Sequence, residues 1–142
     1  MQPDQELNEK LKRLLDAADK LLPKAGEVLD WQTASAARWR SRGLSGRLEP
    51  LKLAIDYELE DLLGIETQKA SLEANTRQFV KGLPANNVLL WGARGTGKSS
   101  LVKALLKRYA AHSLRMIEVD KTELKHLDAI VAAIEHQPYR FI

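Results

Sequence analysis

An α/β fold built on parallel strands is what this sequence predicts, and three observations predict it. A short apolar run, Val88-Leu89-Leu90-Trp91, leads directly into the glycine-rich stretch Gly92-Ala93-Arg94-Gly95-Thr96-Gly97-Lys98-Ser99. Leu101, Val102, Leu105 and Leu106 then recur at the spacing of one apolar helix face, with Lys103, Lys107 and Arg108 between them. A second apolar stretch, Leu114 to Val119, follows where that helix has run its length. The two strands are expected to be parallel neighbours joined by a right-handed crossover. The expected architecture is a three-layer αβα core, preceded by an N-terminal helical region.

The glycine-rich stretch fits the pattern G-x-x-x-x-G-K-[ST] at every fixed position. The physical need for those residue types is specific. Gly92, Gly95 and Gly97 have no Cβ to block close approach and tolerate positive φ, so the amides from Gly92 to Ser100 can turn inward around an anion. Lys98 would reach the β and γ phosphates of a nucleotide, in the one catalytic role the sequence offers. The Ser99 hydroxyl suits Mg²⁺, a hard cation that takes oxygen ligands and shares them with phosphate. The helix beginning near Gly97 points its positive end at the same place. Ala93, Arg94, Thr96 and Ser100 complete the lining, Arg94 being expected to face solvent.

Composition narrows the field. The chain has 142 residues, a formal charge of +3 and no cysteine. That length can bury a core, and the missing thiols exclude disulfide frameworks and thiolate metal sites. His112, His126 and His136 lie ten or more residues apart, which is not ligand spacing. The first residues lack a basic and apolar leader pattern, and no apolar run approaches membrane-spanning length, so a cytoplasmic protein is expected.

Taken in order, the chain divides at about residue 50. Leucines at 7, 11, 14, 15, 21 and 22, with Ala18, form a stripe on a helix expected over 4–22 and ended by Pro23. A second helix is expected over about 25–40, carrying Trp31 and Trp39. Arg38, Arg40, Arg42 and Arg47 fall in ten residues free of acid, which reads as a solvated linker or as a contact for nucleic acid or an acidic partner. From 51 to 142 the nucleotide-type domain is expected. Asp56 to Asp61 reads as a solvated helix face, Glu66 to Val80 as a helix stopped by Gly82, and 83–87 as the lead-in to the first strand. After Ser99 come a helix ending near Ala111, the strand 114–119, a helix over 124–134 and a third strand starting at Tyr139. No apolar run after Ser99 ends in paired acids, so the chain is expected to be a fragment cut before the acid that would direct a metal-bound water.

With those residues in hand, the chain resembles the N-terminal part of a bacterial family of predicted AAA+ ATPases known as domain of unknown function 815. The residues that carry the resemblance are Asp61 to Lys69, Asn75-Thr76 with Phe79, Gly82 to Leu106, Arg115 to Lys121 and Pro138 to Ile142. The resemblance implies ATP with Mg²⁺ as ligand, Ile65 beside the adenine, and homo-oligomers in the full-length form. It also implies a strand ending in acids, a polar sensor, an arginine finger and a helical lid, none of which the sequence given contains, so hydrolysis is expected only of the full-length chain. Two other readings stand beside it. A small-molecule or nucleoside kinase uses the same loop, although those enzymes usually begin with the loop strand. A non-catalytic, nucleotide-gated module would use the N-terminal helix and the arginine run to hold a protein or DNA partner.

Overall fold

The structure, a computed structural model, describes residues 8–14, 29–43 and 45–142. Four strands make one sheet in the order β2-β1-β3-β4, with β1 at Ala36–Arg42, β2 at Ser45–Pro50, β3 at Leu114–Glu118 and β4 at Arg140–Phe141. β1 and β2 form an antiparallel hairpin, whereas β1 with β3 and β3 with β4 are parallel. Besides the helical residues 8–14, the α-helices among the described residues are α1 at Glu66–Val80, α2 at Lys98–Tyr109 and α3 at Leu127–Ile134. This is a mixed α/β fold with a mostly parallel sheet.

The hairpin replaces both the helix expected over 25–40 and the linker expected over 38–47. Residues 25–28 lie outside the described ones, and 29–35 form a turn in which Asp30 accepts from the Gln32 amide and the Thr33 hydroxyl. From Ala37 onward a period of two decides the outcome. Trp39 is 4% exposed while Arg40 next to it faces solvent. Its ring lies over Gly46, where a β-carbon would stand 2.1 Å from Trp39 Cζ2, so glycine is required there by space. The arginines have acidic partners that no short window shows: Arg38 pairs with Glu118 at 2.8 Å and Arg47 with Glu49 at 2.7 Å. Because Ala36 O accepts from Leu51 N at 2.9 Å, the hairpin continues into the chain that follows, across the boundary expected at residue 50. Of the N-terminal helix only 8–14 is described; it is helical there, with Leu11 and Leu14 exposed, and the rest of the expected stripe lies outside the described residues.

α1 and α2 cover one face of the sheet. Leu101, Leu105 and Leu106 of α2 pack with Leu59, Ala36, Leu114 and Met116. Each fully buried leucine of this kind contributes about 1.5 to 3 kcal/mol. The opposite face carries Trp39, whose ring lies 6.2 Å from that of His126 just before α3. α1 ends as expected. Gly82, at φ 74°, lets its amide reach Phe79 O and the Leu83 amide reach Gln78 O, the paired bonds of a glycine-stopped helix.

The acidic stretch from Asp56 to Asp61 is not a helix face. It is extended chain and a 3-10 turn at Leu59–Asp61, held against α2 by ion pairs. Glu58 meets Lys107 at 2.6 Å, and Arg108 bridges Glu60 to Glu73 of α1. The Arg108 hydrogen bond, with the Glu60 backbone, holds the Glu60 carboxyl below the usual carboxylate range. A lowered folded-state pKa stabilises above the ordinary carboxylate range, and the gain is lost as pH falls through the lowered value. Urea unfolding should therefore show stability falling from neutral to acid pH in the wild type, with a shallower fall in Arg108→Gln.

One expected strand does not join the sheet. Residues 84–91 form no strand and have no ladder partner among the described residues, and Leu89 and Trp91 are 84% and 85% exposed. Pairing with β3, the expected neighbour, is closed to this segment, because β1 occupies one edge of β3 and β4 the other. The remaining strand expectations hold: β3 lies within 114–119, and the stretch starting at Tyr139 enters β4, with Ile142 continuing the ladder through Ile117 N and Arg115 O. The helix expected over 124–134 is split, 3-10 over Lys121–His126 and α-helical after it.

Candidate functional site

The glycine-rich loop opens α2, and its shape follows from its residue types. Gly92, Gly95 and Gly97 have φ of 134°, 81° and 82°, the left-handed region that other residues enter at a cost. Gly97 is the residue that caps α2, so the chain turns sharply from loop to helix there. The Thr96 hydroxyl donates to Ala93 O at 2.9 Å and ties the loop across its middle.

Lys98 folds back over the loop. Its ammonium donates to Gly92 O at 3.0 Å, Ala93 O at 2.5 Å and Thr96 Oγ1 at 3.2 Å. The loop thus encloses a positive charge at the first residue of a 12-residue helix, whose first turn contains no acid. A cation at that end opposes the helix dipole, at a cost of about 0.3 to 1 kcal/mol. Meanwhile, among the described residues, the amides of 93–100 donate to no protein acceptor; the first bond of α2 runs from Leu101 N to Gly97 O. One ammonium and a row of free N–H groups around a solvent-facing turn are what an anion with several oxygens would satisfy. Ala93, Arg94 and Ser99 are exposed, and Ser100 is half-buried.

Ile65 comes to the same place from α1. Its Cδ1 lies 3.9 Å from the point a β-carbon on Gly97 would occupy, and the side chain also packs on the core cluster. The turn before it is fixed by Gly64 N donating to Glu66 Oε1 at 2.9 Å; the Glu66 amide, and after it the Gly64 bond, lower the Glu66 pKa. The acids at the end of β3 are engaged elsewhere. Glu118 is held by Arg38, and Asp120, its pKa lowered by the Thr122 amide and hydroxyl, caps the following 3-10 turn.

The sequence gives Asn75 no role, yet it governs how the chain approaches the loop. Its Nδ2 donates to Asn86 O and its Oδ1 accepts from Asn86 N, both at 2.8 Å. A side chain 11 positions away acts as a strand neighbour would, and only the folded arrangement reveals it. Asn75→Ala should cost about 1 to 2 kcal/mol for the two bonds, and deuterium exchange at the Asn86 amide should quicken while α2 stays protected.

The geometry defines the class first: a mixed α/β protein whose glycine-rich loop and following helix present free amides and one ammonium to solvent. The chain belongs to the family described as a protein of unknown function, DUF815, whose profile matches residues 32–142. That match begins before β1, so it takes in the hairpin together with the loop. Neither a curated protein nor a solved structure matches the chain.

Proposed function

We propose that the Gly92–Ser99 loop binds the phosphates of a nucleotide, in the manner of a P-loop NTPase of the AAA+ type, with ATP and Mg²⁺ as the ligands. The observation that carries this reading is Lys98: a cation placed at a helix N-terminus, bonded only to loop oxygens, amid amides that have no protein acceptor. Such a placement works against stability unless an anion completes it. In this reading the amides of 93–100 and Lys98 hold the β and γ oxygens, and the exposed Ser99 hydroxyl takes a place in the Mg²⁺ shell. Bound Mg²⁺ would neutralise phosphate charge. Ile65 is placed to touch the base or sugar.

Binding is the part of the function that the described residues support. Glu118 and Asp120, the acids at the end of β3, are already partnered by Arg38 and Thr122, so neither is assigned to water activation. The arginine run has less free charge than its sequence suggests, because Arg38, Arg40 and Arg47 are paired with Glu118 and Glu49, which weakens the nucleic-acid reading. No helix among the described residues is long and apolar enough to cross a membrane. The test is calorimetric titration with Mg-ATP, Lys98→Ala being run in parallel; equal binding by both proteins would sink the assignment.

A further inference from the structure

Arg115 is the one arginine buried among the described residues, at 7% exposure, and it has no acidic partner there. Buried charges are ordinarily paired. Its Nε donates to Trp31 O, and both hydrogens of Nη1 are taken by Ala110 O and Leu114 O, each bond 2.8 Å long. The Tyr139 ring lies against the guanidinium, 4.1 Å from Cζ to the ring centre. Nη2 has no acceptor among the described residues. Asp30, close by in sequence, is occupied by the Gln32 amide and the Thr33 hydroxyl.

Arg115 lines a cavity of about 330 Å³ together with Gln32, Ser35, Ser113 and Tyr139. The side chains of Gln32, Ser35 and Ser113 make no hydrogen bond among the described residues, so an amide and two hydroxyls are open beside Nη2. Ser113 adds a second sign of use. At φ 68° it is the one non-glycine residue with positive φ among the described residues, a conformation that glycine would adopt without strain. A hydroxyl is kept where the backbone favours none.

We propose that this cavity binds a small tetrahedral oxyanion of the phosphate class, with Nη2 supplying the charge and Gln32, Ser35 and Ser113 the further donors. A planar carboxylate fits less well. Its two-bond fork needs two free guanidinium nitrogens on one edge, and Nε and Nη1 are already used. Four separate donors, from the chain before β1, the turn into β3 and β3 itself, suit an anion with oxygens on several sides. The site is distinct from the glycine loop: it lies past the C-terminal end of α2, with about 18 Å of helix between them.

Titration with inorganic phosphate, followed by ¹⁵N-resolved nuclear magnetic resonance, tests the proposal. The amides of Gln32, Ser35 and Ser113 and the Arg115 Nε–H should shift saturably, and should do so equally in Lys98→Ala. Because Arg115→Gln also removes bonds that hold the fold, Ser113→Gly carries the mutational test. That variant relaxes the backbone and should fold at least as stably, yet bind phosphate about threefold to tenfold more weakly. Acetate at matched ionic strength should leave the four signals in place. The proposal is overturned by signals that phosphate does not move, by shifts that vanish in Lys98→Ala, by undiminished affinity in Ser113→Gly, or by an equal response to acetate.

Discussion

Lys98→Ala is expected to lose Mg-ATP affinity while keeping, or slightly gaining, stability. The affinity loss follows from removing the one ammonium that the loop encloses. A charge-assisted bond of this kind contributes about 1.5 to 3 kcal/mol, which is between about tenfold and a hundredfold in the dissociation constant. The stability effect has the opposite sign for a separate reason. In the free protein the same charge sits at the N-terminus of α2, where it opposes the dipole, and its bonds go to exposed loop carbonyls that water can satisfy. Removing it should shift the unfolding free energy by no more than about 1 kcal/mol. Calorimetric titration gives the first quantity and urea unfolding the second. A variant that loses binding and stability together would mean that Lys98 serves the fold and not a ligand.

Gly46→Ala should be among the most damaging single changes in the hairpin. A methyl group there would overlap the Trp39 ring at Cζ2, Cε2 and Cη2, all closer than 3.0 Å. The ring is rigid and almost fully buried, with His126 beside it, so it has little room to swing aside. Overpacking of this type costs about 1 to 3 kcal/mol. Gly43→Ala is the control. Its φ of 63° strains any other residue, but nothing lies within 4 Å of the added carbon, so only backbone strain of about 1 kcal/mol is expected. Urea denaturation of both variants, followed by tryptophan emission, should rank Gly46→Ala as the less stable. The reverse order would mean that Trp39 does not pack over β2.

What was legible in the sequence was local. The loop, the helix it opens, α1 and its glycine stop, and β3 are all signalled by residues within a turn or two of one another, and each stands where its pattern predicts. The expectations that failed depend on partners distant in sequence. An apolar run such as Val88 to Trp91 shows that a segment needs covering, but not whether a neighbouring strand is there to cover it. The arginines between 38 and 47 looked like a linker because Glu118, which meets Arg38, is 80 positions away. Trp39 suits a helix as readily as a strand until Gly46 is seen to make room for its ring. At the candidate site the same division holds. Lys98 and the glycines could be read directly, whereas the Asn75 clamp on Asn86 could not.

The three tryptophans differ sharply in their surroundings. Trp31 and Trp39 are sealed in, at 3% and 4% exposure, while Trp91 stands in water one residue before Gly92. The molecule thus carries a single solvent-reached indole at the threshold of its candidate ligand loop. Collisional quenchers in solution reach that ring and miss the other two, so the red edge of the emission belongs to it. Anything that seats itself on the loop can announce its arrival optically without a label.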